Sequence, residues 1–352
     1  MKNVIHERPG VYSSYDASTI IRGNRAVRTI GVAAKSTAGT PGTPVTLTSY
    51  EAGISVFGED PANQPGMSTI LRLLFLGGAS TVVAVAVEDS DYTAAFEALQ
   101  TAENVQIVVC DSGELTVQQA LRSSVEAASA IRRERIAVVG MSGASTAELK
   151  ERANALNSER MVLVGPDGLD SGGNPLSGVF AAAAVAAAVA VIRDPAVPLN
   201  GTALPGLGGL SVQYGDNDID LLVQGGVTPL ETVGGVVSPV RGITTRTLTG
   251  GVQDATWREL TTTLIVDDVI PAIRQSLRGR FSHTKNTIQT RGAIRSQVIV
   301  ELESKLRAEI IESYGDVTVS VYEEDPAVCL VEFSFAVAHG LNQIYLTAHI
   351  TI

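Results

Sequence analysis

Reactive chemistry is scarce in this chain. Its 352 residues include four histidines, two cysteines and one tryptophan, and aromatic residues make up only 5%. None of His6, His283, His339 and His349 has another ligand at a metal-binding spacing such as His-x-x-x-His, so no resident metal is expected. No Gly-x-x-x-x-Gly-Lys phosphate loop occurs. The stretch Gly140-Met141-Ser142-Gly143 approaches a nucleophile elbow but lacks the second glycine at the required place. Pro205-Gly206-Leu207-Gly208-Gly209 is glycine-rich, yet it does not join an apolar strand to a helix as a dinucleotide loop does. Gly165 to Asn174 carries oxygen ligands without the spacing or the terminal glutamate of a calcium loop, and reads as a plain connection at a sheet edge. These gaps leave no catalytic, cofactor-binding or metal residue to nominate, and the expectation is a protein that is not an enzyme.

Other absences bound location and partners. Met1 to Glu7 is followed by no apolar core of a signal peptide. The most apolar run, Val179–Ile192, is Ala-rich and short of the roughly 20 residues of a membrane span. It reads as a helix packed closely inside the protein. Cys110 and Cys329 sit in apolar strand-like runs and are expected to be small buried hydrophobes, made in a reducing compartment. A net charge of −11 argues against nucleic acid as main partner. The charge is uneven: residues 1–28 carry five cations against two acids, and residues 316–352 carry five acids and no Lys or Arg.

What is present is a strong pattern. With 45% hydrophobic residues there is ample core for two domains. From Arg28 to about Arg193, unbroken Val/Ile-rich runs at 29–33, 81–87, 105–110, 136–139 and 161–164 predict strands covered on both faces. Helix-like segments at 67–76, 92–101, 116–133 and 145–158 lie between them, the last opened by a Ser145/Glu148 capping box. Such alternation predicts a mostly parallel α/β sheet. Ile131 to Arg135, mixed in sign, reads as a helix end facing water. Asp194 to Gly215, rich in Pro and Gly, marks a domain boundary. Strands are then expected at 220–223 and 242–249, around a turn at 225–229.

Two long helices follow, at 254–280 and 292–314. Pro271 is expected to kink or divide the first, and Gly315 to end the second. Strands at 317–322, 328–337 and 344–350 close the chain. Arg274, Arg278, Arg280, Lys285, Arg291 and Arg295 form a cationic group whose last two members the helix dipole does not explain, so an acidic partner surface is expected there.

Both termini read as strands able to leave their own subunit. Pro9-Gly10-Val11-Tyr12 lies in a β-prone polar stretch without an apolar stripe. Ile344-Tyr345-Leu346-Thr347-Ala348 alternates as a strand does. Unpaired backbone groups on such strands are a template for addition to another molecule's sheet.

The second half resembles the tail sheath proteins of contractile phage tails and related particles. The residues that carry the resemblance are Asp254, Trp257, Arg258, Glu259 and Leu260, then Asp267, Asp268, Val269, Ile270, Ile273, Arg274 and Leu277. Phe281, Asn286, Thr290, Arg291 and Ile294 follow. Upstream, Pro239-Val240-Arg241-Gly242-Ile243-Thr244-Thr245 and, at the start, Arg8-Pro9-Gly10-Val11-Tyr12 are similar to the family's pattern.

The resemblance implies α/β plus α+β architecture. A Rossmann-like α/β domain at 26–215, facing outward, would be inserted into a C-terminal sheath core at 216–352 that faces the tube. Residues 1–25 would be a linking arm and 344–352 a linking strand. It implies a subunit of stacked hexameric rings in a helical lattice, with itself, an inner tube protein, baseplate and tail terminator proteins as partners. No nucleic acid or membrane insertion is implied. Such a particle is a virion tail or phage-tail-like body assembled in the bacterial cytoplasm. The cationic group Arg274 to Arg295 would face the tube. A bacteriocin or secretion-type sheath is the nearest alternative; a tube or baseplate subunit and a nucleotide-binding enzyme are further ones.

Overall fold

Residues 29–34 are apolar and covered on both sides, and they form a central strand, β1 (Thr29–Ala34), of the computed structural model, which describes residues 27–61 and 64–342. After it come β2 (Val45–Leu47), α1 (Tyr50–Phe57), α2 (Met67–Leu76) and β3 (Val82–Ala86). Next are α3 (Tyr92–Thr101), β4 (Val105–Cys110), α4 (Leu115–Ala130), β5 (Ile136–Gly140), α5 (Thr146–Leu156) and β6 (Met161–Gly165). The capping box at α5 forms as expected: Ser145 and Glu148 satisfy each other's backbone N–H groups. The short α1, not foreseen, is capped by Ser49, whose Oγ accepts from Ala52 N at 3.2 Å.

A small sheet of β7 (Gly168–Leu169), β8 (Pro175–Leu176) and β9 (Gly209–Leu210) includes the two strands that lead into α6 (Gly178–Val191). All of α6 from Gly178 to Ala190 is buried, as the Ala-rich run predicted. It packs against β4, β5, β6 and α2. Small residues make this approach possible: a Cβ on Gly140 would lie 2.1 Å from the Gly178 carbonyl oxygen.

The sequence at 220–223, expected as a strand, lies in a helix, α7 (Asp216–Gln224). Asp216 and Asp218 favour the positive end of its first turn, and Ile219, Leu222 and Val223 recur at helical spacing. The chain then enters β10 (Val227–Val233) and returns as β11 (Val236–Pro239). The large sheet has the order β11-β10-β6-β5-β4-β1-β3-β2 and is parallel except at its two edges. Hence it does not stop at the expected boundary near 215: β10 pairs with β6, Val227 opposite Leu163. Ile30, Val32 and Ala34 join the core beneath α2 and α6, whereas Ala33, Val83 and Val85 join the core beneath α3, α4 and α5. The result is a mixed α/β structure of three layers.

Of the strand expected at 242–249, only β12 (Leu248–Thr249) forms, paired with β13 (Val252–Gln253). The remainder is spent on docking to other segments: Thr244 N donates to Arg258 O and Thr245 N to Met161 O, each at 2.8 Å.

The two long helices are α8 (Leu260–Phe281) and α9 (Ile288–Arg307). Of the two expected effects of Pro271, division does not occur: α8 runs through it, with Val269 and Ile273 packing with Val298 and Leu302 of α9. Nor does α9 reach Gly315. It stops at Arg307, Glu309 turns left-handed at φ 58°, and Ile310 N returns to Lys305 O at 3.0 Å. Four strands follow: β14 (Ile311–Tyr314), β15 (Thr318–Val321), β16 (Cys329–Glu332) and β17 (Phe335–Val337). The single strand expected at 328–337 is thus broken at Phe333–Ser334. Cys110 is buried, and burial pushes its thiol up to about 12, while Cys329 is half-buried and not buried as expected.

Candidate functional site

The four C-terminal strands make one bent ribbon. β14 pairs antiparallel with β17, and β15 with β16. Gly315 N bonds Ser334 O at 2.9 Å between the two ladders, so the bend falls at Gly315. A Cβ there would meet Ser334 Oγ at 2.5 Å. One face alternates inward: Val319, Val331, Phe333, Phe335 and Val337 pack on the α8/α9 core. The other face carries exposed Thr318, Ser320, Leu330 and Glu332. Among the described residues each ribbon strand has one partner, so each outer edge holds unpaired N–H and C=O groups. A lone two-stranded ribbon is marginal in water, and further strands would stabilise it. The expected linking residues Pro9, Gly10, Val11, Tyr12, Ile344, Tyr345, Leu346, Thr347 and Ala348 lie outside the described residues.

The six cations expected to form one surface are divided. Arg274 Nη1 pairs with Glu134 at 2.9 Å, and Arg280 donates to Gln297 Oε1. Arg291 Nη1 donates to Asn286 Oδ1 at 3.0 Å, and Arg295 Nε to Val317 O at 2.7 Å. Arg278, Arg280, Lys285 and Arg295 are exposed; Arg274 and Arg291 are half-buried.

Ion pairs also fix α8 to the large sheet. Arg160, just before β6, pairs with Asp267, and Thr263 Oγ1 donates to Glu159 O at 3.2 Å. Burial pushes the Asp267 carboxyl up to about 6, outweighing the opposing pull of Arg160. Lys305 of α9 holds Asp268 of α8. Sequence reading placed Arg135 at a wet helix end, but it is 2% exposed. Its guanidinium donates to Leu99 O at 2.9 Å and Ala102 O at 2.7 Å, capping the carbonyl end of α3. The position of Arg135 just after a helix end was the available signal.

At the C-terminal edge of the sheet, where an α/β enzyme places its ligand, Asp167 and Asp170 are occupied by local hydrogen bonds. Asp167 accepts from Gly143 N and Gly178 N, each at 2.6 Å, and Ser142 bonds Ser177. Asp170 closes its own turn through Gly172 N and Asn174 N, each at 2.8 Å. Among the described residues no His, Cys, Asp and Glu group is placed to hold a metal, and no helix is long and apolar enough to cross a membrane.

Comparison with known proteins agrees with this geometry. Residues 86–245 match the sequence model of the phage tail sheath protein central domain, and residues 252–351 match that of the phage tail sheath C-terminal domain. The tail sheath protein of Bacillus phage SP01 is 30% identical over 249 residues, which is 69% of this chain and 42% of that protein. The chain therefore spans less than half the length of this curated relative. Among solved structures, a chain of the anti-feeding prophage baseplate superposes with a TM-score of 0.74 at 15% identity, covering 99% of this chain and 100% of that one. A chain of the helical sheath of the same particle, in its contracted state, gives 0.71 at 16% identity, with 98% and 99% covered.

Proposed function

The chain belongs to the phage tail sheath family, and on that premise we propose that it is the structural subunit of a contractile sheath, stacked as hexameric rings around an inner tube. Contraction then drives the tube through a target envelope. The observation that carries the reading is the C-terminal ribbon with its two open edges. Residues 1–25 and 344–352, donated by neighbouring copies, complete that ribbon through Pro9–Tyr12 and Ile344–Ala348. An extended arm of this length reaches up to roughly 80 Å, enough to cross to another subunit. Each added strand contributes modestly, and repetition over a lattice makes the joined network hold.

The α/β layers form an outward, Rossmann-like domain inserted into the sheath core. We place the end of this domain after Pro239 and not at 215; β10 and β11, which extend the sheet, and the gap between the two family matches, 245 to 252, support that division. The core, with α8, α9 and the ribbon, lies inside. Arg280, Lys285 and Arg295, exposed at and beyond the end of α8, face an acidic tube surface. Arg274 is paired with Glu134 within the chain. Work comes from the free-energy difference between two packings of the same subunits, so no catalytic residue is needed. The remaining partners are baseplate and terminator proteins, and the particle is a virion tail or a bacteriocin-like or secretion-type body with the same core.

Removing residues 1–22 tests the reading. The truncated chain should keep its far-ultraviolet circular dichroism and fail to sediment as ordered polymer. Polymers indistinguishable from those of the full chain would refute it.

A further inference from the structure

A cleft of about 840 Å³ lies where the N-terminal ends of β1, β4 and β5 meet the flank of α8. Its walls come from parts of the chain far apart in sequence: residues 27–28, 103–106, 132–136, 193 and 264–278. Several of its charges are already satisfied. Arg28 Nη1 donates to Val189 O at 3.1 Å, Arg135 caps α3, Arg274 holds Glu134, and Asp267 and Asp268 hold Arg160 and Lys305. Among the described residues the side chains of Arg132, Arg193 and Arg278 have no hydrogen-bond or ion-pair partner. All three are exposed, and they come from three different elements. Two buried atoms at the cleft, Arg135 Nε and Asp267 Oδ1, also lack a partner. The unsatisfied charge is mainly cationic, with Glu103 and the buried Asp267 Oδ1 opposing it, so the surface suits a carboxylate-bearing segment.

The opposite end of the same strands has the complementary sign. The segments after β3, β4, β5 and β6 (87–91, 111–114, 141–145 and 166–177) hold seven acids and no Lys or Arg. Helix capping accounts for Asp91 and Asp167, which bond the first turns of α3 and α6. It does not account for Glu88 and Asp89. Both are exposed, and neither side chain has a partner among the described residues. The turn they begin is exposed throughout and contains left-handed Asp89 and Ser90, at φ 47° and 65°.

We propose that the cleft receives the Glu88–Asp91 turn of a second copy of this chain. The acidic turn and the arginine cleft lie at opposite ends of one parallel sheet, so the contact is head to tail and propagates from copy to copy instead of closing a two-fold dimer. This adds to the strand exchange an electrostatic contact between the α/β layers of one copy and the cleft beside α8 of the next, and it rests on the reading of the chain as a polymer-forming subunit.

Two arms test it, each on the full-length chain. In the first, Glu88→Lys/Asp89→Lys and Arg132→Glu/Arg193→Glu each raise the critical concentration for polymer roughly tenfold or more, and all four substitutions together restore it. Unchanged assembly of either double variant, or no recovery in the quadruple variant, overturns the proposal. In the second, a Cys329→Ser background carries Asp89→Cys with Arg193→Cys, and oxidation of the polymer gives a ladder of covalent oligomers that either cysteine alone does not give. A ladder from Glu324→Cys with Arg193→Cys, and none from Asp89→Cys, overturns it in favour of the acidic turn at 323–325. Polymer without any ladder sinks this contact alone. Absence of polymer from the unsubstituted chain sinks the sheath reading as well.

Discussion

Arg160 and Asp267 form an ion pair, each side chain about one-sixth exposed or less, that ties the C-terminal helices to the start of β6. The tie is conditional on pH. Burial raises the Asp267 carboxyl to about 6 in the folded chain, against an ordinary 3.8. A raised acid in the folded state means that the native protein binds the extra proton. Protonation of Asp267 therefore stabilises the fold fully below about pH 3.8, and that contribution is lost as pH rises through about 6, where the carboxylate is ionised and depends on Arg160. The melting temperature of the native chain, minus that of Asp267→Asn, should fall between pH 4 and 7. A flat difference over that range would contradict the assignment.

Arg160→Ala leaves Asp267 buried with its main partner gone. The expected loss at pH 7.5 is on the order of 3 kcal/mol. It should shrink toward pH 5, where Asp267 can take up a proton. Urea titrations at the two pH values check this; an equal loss at both would count against it.

Gly140 allows α6 to lie against the end of β5. An added Cβ meets backbone, 2.1 Å from the Gly178 oxygen, and backbone cannot swing aside as a side-chain end can. Gly140→Ala should cost about 2 kcal/mol or more. Gly143→Ala, whose Cβ would meet nothing within 4 Å but whose φ of 62° is left-handed, should cost less, about 1 kcal/mol. Denaturation midpoints order the two, and a reversed order would contradict the packing argument.

Pro271 sits inside a continuous α8 and supplies no N–H to the carbonyl one turn earlier. Because packing against α9 already holds the helix continuous through this point, Pro271→Ala should stabilise the subunit by about 1 kcal/mol or more. A loss of stability would mean that the proline is required for the packing.

Much of the fold was legible because its signals are local. The runs at 105–110 and 161–165 have apolar character on both faces, and Ser145 with Glu148 announces α5 directly. Errors arose where short segments carry two meanings. Asp220–Val223 is as apolar as a strand, but its acids and spacing belong to α7. Ile310 continues the stripe of α9, but the left-handed Glu309 has already ended it. The division of the cations was illegible because their partners are remote: Arg274 finds Glu134 across 140 residues. The cleft was hidden for the same reason, since Arg28, Arg132, Arg193 and Arg278 meet only after folding. The open ribbon is partly readable in the alternation at 331–337, whereas Gly315, expected to end α9, lies at the junction of its two ladders.

Cryo-electron microscopy of the polymer formed by the full-length chain tests the central claim most directly, at resolution sufficient to trace strands beside β14 to β17. The account predicts a tube in which the ribbon at 311–337 gains strands from residues 9–12 and 344–348 of other copies. A tube whose ribbon stays two-stranded, or whose added strands come from the same copy, would contradict it.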